Sequence, residues 1–194
     1  MIQRLMKAAV AAGLVLTLSG CWLGPKFYAI DEAVAAIPAG TYRIRNIEDP
    51  TGQDQRVNAL ATADISSATN VRVTYRPDGR VIVRNLGDSD DDPQTAMLVP
   101  LTDVPGFDSL YVVEVEMLGL DRAVYGIVNV IDNGYQLALP VCDGTRRLAP
   151  GSRVIIGGLL GRRTCSFSNR EDFEAAMRVF AQDPIRWTEY RRIS

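Results

Sequence analysis

Glu114 and Glu116 stand two residues apart in an alternating apolar segment, so on a strand both point to one face about 7 Å apart. That separation suits the paired carboxylates of glycoside chemistry, although two solvated strand positions account for them more simply. Three arginine doublets, Arg146 with Arg147, Arg162 with Arg163 and Arg191 with Arg192, would form an anion patch if the fold brought them together. Each guanidinium presents a planar fork of donors to a carboxylate or phosphate. Asp88, Asp90, Asp91 and Asp92 offer hard oxygen ligands for calcium, but the loop has no glycine at the sixth position and Val99 where an EF-hand needs its twelfth-position glutamate. A solvated acidic loop is the plainer reading. Gly157, Gly158 and Gly161 match neither phosphate-binding spacing, and they mark a bend.

What is missing excludes more than these clusters suggest. The 194 residues contain no histidine, so the chain lacks the common metal ligand, the common general base near neutral pH and any serine–histidine–aspartate triad. No residue is assigned a catalytic, cofactor or metal role, and catalysis ranks below binding.

The N-terminus supplies an address. Arg4 and Lys7 precede an apolar run from Ala8 to Leu18, which is too short to span a bilayer and fits the apolar region of an export signal. Leu18, Ser19, Gly20 and Cys21 close it, with small residues next to a thiol that can be alkylated. This resembles the lipobox of bacterial lipoproteins. The resemblance covers only the first 21 residues and implies that Cys21 receives a diacylglyceryl group, that the signal is cut before it, and that the new amino terminus is acylated, with palmitate as a typical chain. Several acyl chains hold effectively permanently, because each buried methylene contributes roughly 0.8 kcal/mol. Trp22 occupies the position where an aspartate would imply inner-membrane retention, so the expected location is the outer membrane, facing the periplasm.

Export also sets the expectation for the two remaining cysteines. In an oxidising compartment Cys142 and Cys165 form a disulfide closing a loop of about 24 residues, worth roughly 3 kcal/mol on the chain-entropy model. Removing Arg4 and Lys7 with the signal leaves 19 basic residues against 23 acidic ones, a net charge of −4. That balance gives no general attraction to nucleic acid.

The elements that must position these groups are mostly strands. Residues 1–20 read as signal, 21–39 as a tether with two helical turns over Asp31–Ile37, and 40–194 as one β-rich domain. Tyr42 and Ile44 alternate with Arg43 and Arg45. Val71, Val73 and Tyr75 alternate with polar residues up to Pro77-Asp78-Gly79, after which Val81 and Val83 resume the pattern as a hairpin. A short strand over Met97–Leu101 precedes a three-strand meander from Leu110 to Val141, where Val112, Val124 and Val128 predict a sheet partly covered on both sides. Arg153–Gly158 adds another strand. Ser168 and Glu171 read as a capping box for a helix whose Phe173, Ala176, Met177, Phe180 and Ala181 form one apolar stripe. A last strand, Ile185–Ile193, would pair with an early one.

The fold class is therefore mainly β: an antiparallel meander sheet, curling into a barrel or half-barrel, with one C-terminal helix packed on it. The expected function is a lipid-anchored, non-catalytic binding or scaffold module whose partner is an envelope protein or an anionic glycolipid. The alternative is a lipocalin-like barrel holding a small apolar ligand, for which an inward row of Tyr42, Tyr75, Tyr125 and Tyr135 would speak and against which a filled interior would speak.

Overall fold

The computed structural model describes residues 22–45, 70–86, 93–117, 121–140, 153–157, 162–182 and 187–194. Eleven strands are described: β1 (Trp22–Gly24), β2 (Gly40–Arg45), β3 (Asn70–Tyr75), β4 (Val81–Asn85), β5 (Gln94–Pro100), β6 (Leu110–Glu116), β7 (Ala123–Ile131), β8 (Gly134–Ala138), β9 (Arg153–Gly157), β10 (Arg162–Ser166) and β11 (Thr188–Arg192). One helix, α1 (Arg170–Gln182), lies between β10 and β11. Among the described residues no helix is long and apolar enough to cross a membrane.

Eight strands close a wholly antiparallel ring in the order β6-β5-β4-β3-β2-β11-β8-β7, with β7 returning to β6 from Leu110↔Asn129 to Glu116↔Ala123. The β3–β4 turn places Gly79 at φ +84°, and the β7–β8 turn places Asn133 at φ +63°, a conformation that asparagine tolerates better than most residues. The terminal strand closes the ring by pairing with β2 (Tyr190↔Ile44) and with β8 (Tyr190↔Tyr135).

The second edge of β7 is shared. Beyond Ile127 it pairs with β8, and at Ala123–Tyr125 it pairs with β1. From β1 a branch leaves the barrel: β10 runs parallel to β1 (Trp22↔Cys165), and β9 pairs antiparallel with β10.

Strand alternation divides the apolar residues into two cores. The inner one lines the barrel with side chains from all eight ring strands, Tyr42, Val71, Val73, Val81, Leu98, Val128, Tyr135 and Tyr190 among them. The outer one lies between the β5–β6–β7 wall and α1, where Phe173, Ala176, Met177, Phe180 and Ala181 meet Met97, Val99, Val112, Tyr125 and Ile127. The wall is thus covered on both sides as expected, with Val112 under the helix and Val128 inside the barrel.

Two expectations are corrected. The tether is absent over residues 22–38: Trp22 starts a strand, Ile30–Glu32 form a single 3-10 turn, and the rest of the segment is a strap drawn over the barrel. The strap is extended because its partners are strands and tyrosines. The Val34 N–H donates to the Leu98 carbonyl (2.9 Å), on the stretch of β5 that projects past β4, and Ile37 is buried with Tyr75 and Tyr42 donating to the Ile37 and Pro38 carbonyls. Second, α1 is capped by Asn169, whose side-chain oxygen accepts from the Asp172 N–H (2.8 Å), one residue after the expected Ser168. Arg162–Ser166 adds a strand for which the sequence carries no apolar alternation.

Candidate functional site

Glu114 is wholly buried, which overturns its reading as a solvated strand position. It does face outward from the barrel, but the strap and α1 lie over it. Its Oε2 accepts from the Phe27 N–H at 3.1 Å and lies 2.8 Å from the Tyr125 hydroxyl, itself buried on β7. The same hydroxyl donates to the Pro25 carbonyl and lies 3.3 Å from the Phe27 nitrogen. One phenolic proton serves one acceptor, so a Tyr125 that donates to Pro25 leaves its oxygen to accept from Glu114. A protonated Glu114 completes that chain of bonds, whereas a carboxylate would compete with Pro25 for the proton.

Electrostatics agrees with the geometry. Burial raises the Glu114 carboxyl above the ordinary carboxylate range, against the lowering effect of its bonds to Tyr125 and to the backbone. Oε1 has no hydrogen-bond partner, a second reason for the neutral form. Burial, followed by the nearby Glu114, likewise pushes the Tyr125 phenol up. Glu116, by contrast, is exposed and pairs with Lys26 at 3.4 Å. The two glutamates therefore do not form a catalytic pair, because one is sealed beneath the strap and the other is tied at the surface. The chemistry this arrangement performs is fastening: Glu114 and Tyr125 hold Pro25 and Phe27 to the barrel wall.

The fastening continues along the strap. Trp22 packs against Phe167 (4.9 Å between ring centroids) and Phe180 (5.8 Å), and Phe27 stacks on Phe173 (5.0 Å). Arg170 on α1 reaches Glu32 at 2.6 Å and Glu174 at 2.7 Å, and lies over the Tyr28 ring at 4.4 Å. The strap therefore joins helix and barrel.

The barrel interior carries Tyr42, Tyr75 and Tyr135 as expected for a ligand row, while Tyr125 points outward under the helix and Tyr190 takes a place inside. These rings pack on one another: Tyr135 stacks on Tyr190 at 4.5 Å and meets Tyr42 edge-on at 5.1 Å. Burial pushes the Tyr190 phenol up to about 12 and the Tyr135 phenol well above its ordinary value.

The two arginine doublets among the described residues lie on separate strands. Arg162 and Arg163 lie on β10 and Arg191 and Arg192 on β11, with β8, β7 and β1 between them in the sheet order; Arg146 and Arg147 lie outside the described residues. Arg191 is already engaged by Glu189 (2.5 Å) and the Asp132 carbonyl (2.8 Å), beside a shallow polar depression of about 670 Å³ that Asp108 and Gln136 help to line. Arg192 donates to the Ala39 carbonyl (2.9 Å). A different arginine set, with signal in the alternation of β2, β3 and β4, does share a surface: Arg43, Arg72 and Arg84. Cys165 is fully buried on β10; Cys142, Cys21 and the aspartates from Asp88 to Asp92 lie outside the described residues. Among the described residues no group of histidine, cysteine, aspartate or glutamate side chains is arranged to hold a metal ion.

No family model, curated protein or solved structure matches this chain.

Proposed function

We propose that this chain is a lipid-anchored, non-catalytic binding or scaffold module of a bacterial cell envelope, held by acyl chains on Cys21 at the periplasmic face of the outer membrane. The observation that supports this reading best is the seat of the next residue. Trp22 is 4% exposed, paired to β7 and β10, and surrounded by Phe167, Phe173 and Phe180. An anchor on Cys21 therefore has no spacer between it and the body, and a load on the acyl chains passes directly into the sheet. The sealing of Glu114 favours a partner bound at the surface, an envelope protein or an anionic glycolipid, over catalysis. We assign the Cys142–Cys165 disulfide to the same exported state, with the burial of Cys165 as its support.

The test is expression of the full chain and its Cys21→Ser variant in a Gram-negative host. The native chain should partition into detergent and the variant into buffer, and intact mass should rise by two hydrogens on reduction. Native protein in the aqueous phase would refute the anchor, and two alkylatable thiols in fresh protein would refute the disulfide.

A second reading rests on the closed eight-stranded ring and its inward tyrosines, which are compatible with a lipocalin-like binder of a small apolar ligand. Purification with native lipid retained separates the two: a stoichiometric protein supports the first, a co-purifying small apolar molecule the second.

A further inference from the structure

The outer wall formed by β11, β2, β3 and β4 carries an ordered lattice of side chains. Register sets Arg191, Arg43, Asn70 and Leu86 in one row, and Ile193, Thr41, Arg72 and Arg84 in the next. Arg72 and Arg84 are direct cross-strand partners, and both are exposed. Like charges set opposite one another destabilise a sheet, so this pairing opposes folding rather than assisting it. Neither side chain has an ion pair or hydrogen bond among the described residues, and Arg43 makes only a 3.5 Å contact with Asn70. Four arginines elsewhere are matched: Arg80 and Arg76 to Asp78, Arg170 and Arg178 to Glu174. Leu86 and Ile193, at 41% and 49% exposure, are two of the four large apolar side chains left open to solvent among the described residues.

Arginine interleaved with exposed aliphatic residues suits a protein-binding surface, where guanidinium groups pair with carboxylates and aliphatic side chains supply burial. An anionic glycan would make no use of Leu86 and Ile193. The ring order also speaks against the anchoring bilayer. β3 is the fourth strand from β7 in either direction, and so lies diametrically across the barrel from the strand that seats β1. If Cys21 carries the anchor, as proposed above, this wall lies across the barrel from the strand that receives the anchored segment.

We infer that the β11–β2–β3–β4 wall docks an acidic segment of a protein partner, with Arg43, Arg72 and Arg84 receiving its carboxylates and Leu86 and Ile193 its apolar side chains. The probe is a fluorescein-labelled peptide of alternating glutamate and leucine, titrated by anisotropy onto the full chain in neutral detergent micelles. Binding should weaken steeply with added salt, as charge pairing at a surface requires. The double variant Arg72→Glu/Arg84→Glu should bind at least about tenfold more weakly, since each lost charged hydrogen bond is worth that or more. Arg122→Glu, an exposed change outside this wall, should leave affinity unchanged. The salt titration reads the native chain alone, so the inference stays testable if the double variant fails to fold.

Equal binding by the folded double variant, salt-independent binding, or no binding would overturn the inference. So would preferential binding to phosphatidylglycerol vesicles over the peptide, or an Arg72-dependent dimer in sedimentation, since these would assign the wall to a lipid or to a second copy. Repeating the titration with Cys21→Ser separates this inference from the anchor, because peptide affinity should not depend on acylation.

Discussion

Replacing Glu114 with glutamine should cost some stability at acid pH and recover it progressively as pH rises. Because burial holds this carboxyl above its usual range, the folded state keeps a proton that the unfolded chain loses above about pH 4.3. Across that window the native state binds more protons than the unfolded one, so stability is full below the unfolded value and falls as pH rises. One proton sets the limit at about 1.4 kcal/mol per pH unit until the folded carboxyl has ionised. Glutamine keeps the shape and carries no charge, but one amide atom at the Oε2 position cannot both accept from the Phe27 N–H and donate to Tyr125, so the variant gives up one of these bonds at every pH. Urea unfolding of the full chain in detergent micelles between pH 4 and 8, followed by fluorescence of Trp22 and Trp187, gives the two curves. Their difference cancels the other titrating groups, including Glu32 and Asp78, whose carboxyls are held low by a backbone bond and by Arg80 respectively. The glutamine variant should gain on the native protein as pH rises, whereas Glu114→Ala, losing the Phe27 and Tyr125 bonds and leaving a void, should cost about 2–4 kcal/mol. A difference that does not change with pH, or one that shifts in the native chain's favour as pH rises, would refute the neutral carboxyl.

Asn169→Ala should destabilise by about 1 kcal/mol while Ser168→Ala does almost nothing, as a pair of unfolding curves would read, because only Asn169 caps α1. Gly134→Val should cost several kcal/mol or prevent folding, since any Cβ there presses on the Tyr190 carbonyl where β8 meets β11; soluble yield and circular dichroism report it. Trp22→Ala should cost about 3–5 kcal/mol and expose the strap to limited proteolysis near Lys26.

The ring was mostly legible because its strands alternate locally and its turns carry their own signals. Pro77-Asp78-Gly79 and Asp132-Asn133-Gly134 mark where the chain reverses, and Tyr42, Val71, Val73, Val81 and Tyr135 point inward as their spacing requires. The helical stripe from Phe173 to Ala181 was equally clear, because five apolar residues at helical spacing leave one face to bury. What could not be read were the segments ordered only by distant partners. Trp22–Gly24 is too short to show a period and is a strand because β7 and β10 present open edges to it. Residues 33–38 follow the strand edge and tyrosine hydroxyls that receive them in place of a helical preference. Arg162–Ser166 hides its pairing in a run of polar residues.

The same distinction governs the candidate sites. Alternation correctly turned Glu114 out of the barrel, but whether that face meets water depends on a strap about 87 residues earlier and a helix about 60 residues later. The arginine wall was present as the outward half of three strands and became a surface only through the register that sets Arg72 against Arg84.

The most direct measurement is tandem mass spectrometry of the tryptic peptide ending at Lys26, from protein purified out of bacterial envelopes. The account predicts a peptide beginning at Cys21 with a diacylglyceryl thioether on its sulfur and an acyl chain on its amino group. A peptide that starts elsewhere, or one with an unmodified Cys21 thiol, would contradict it.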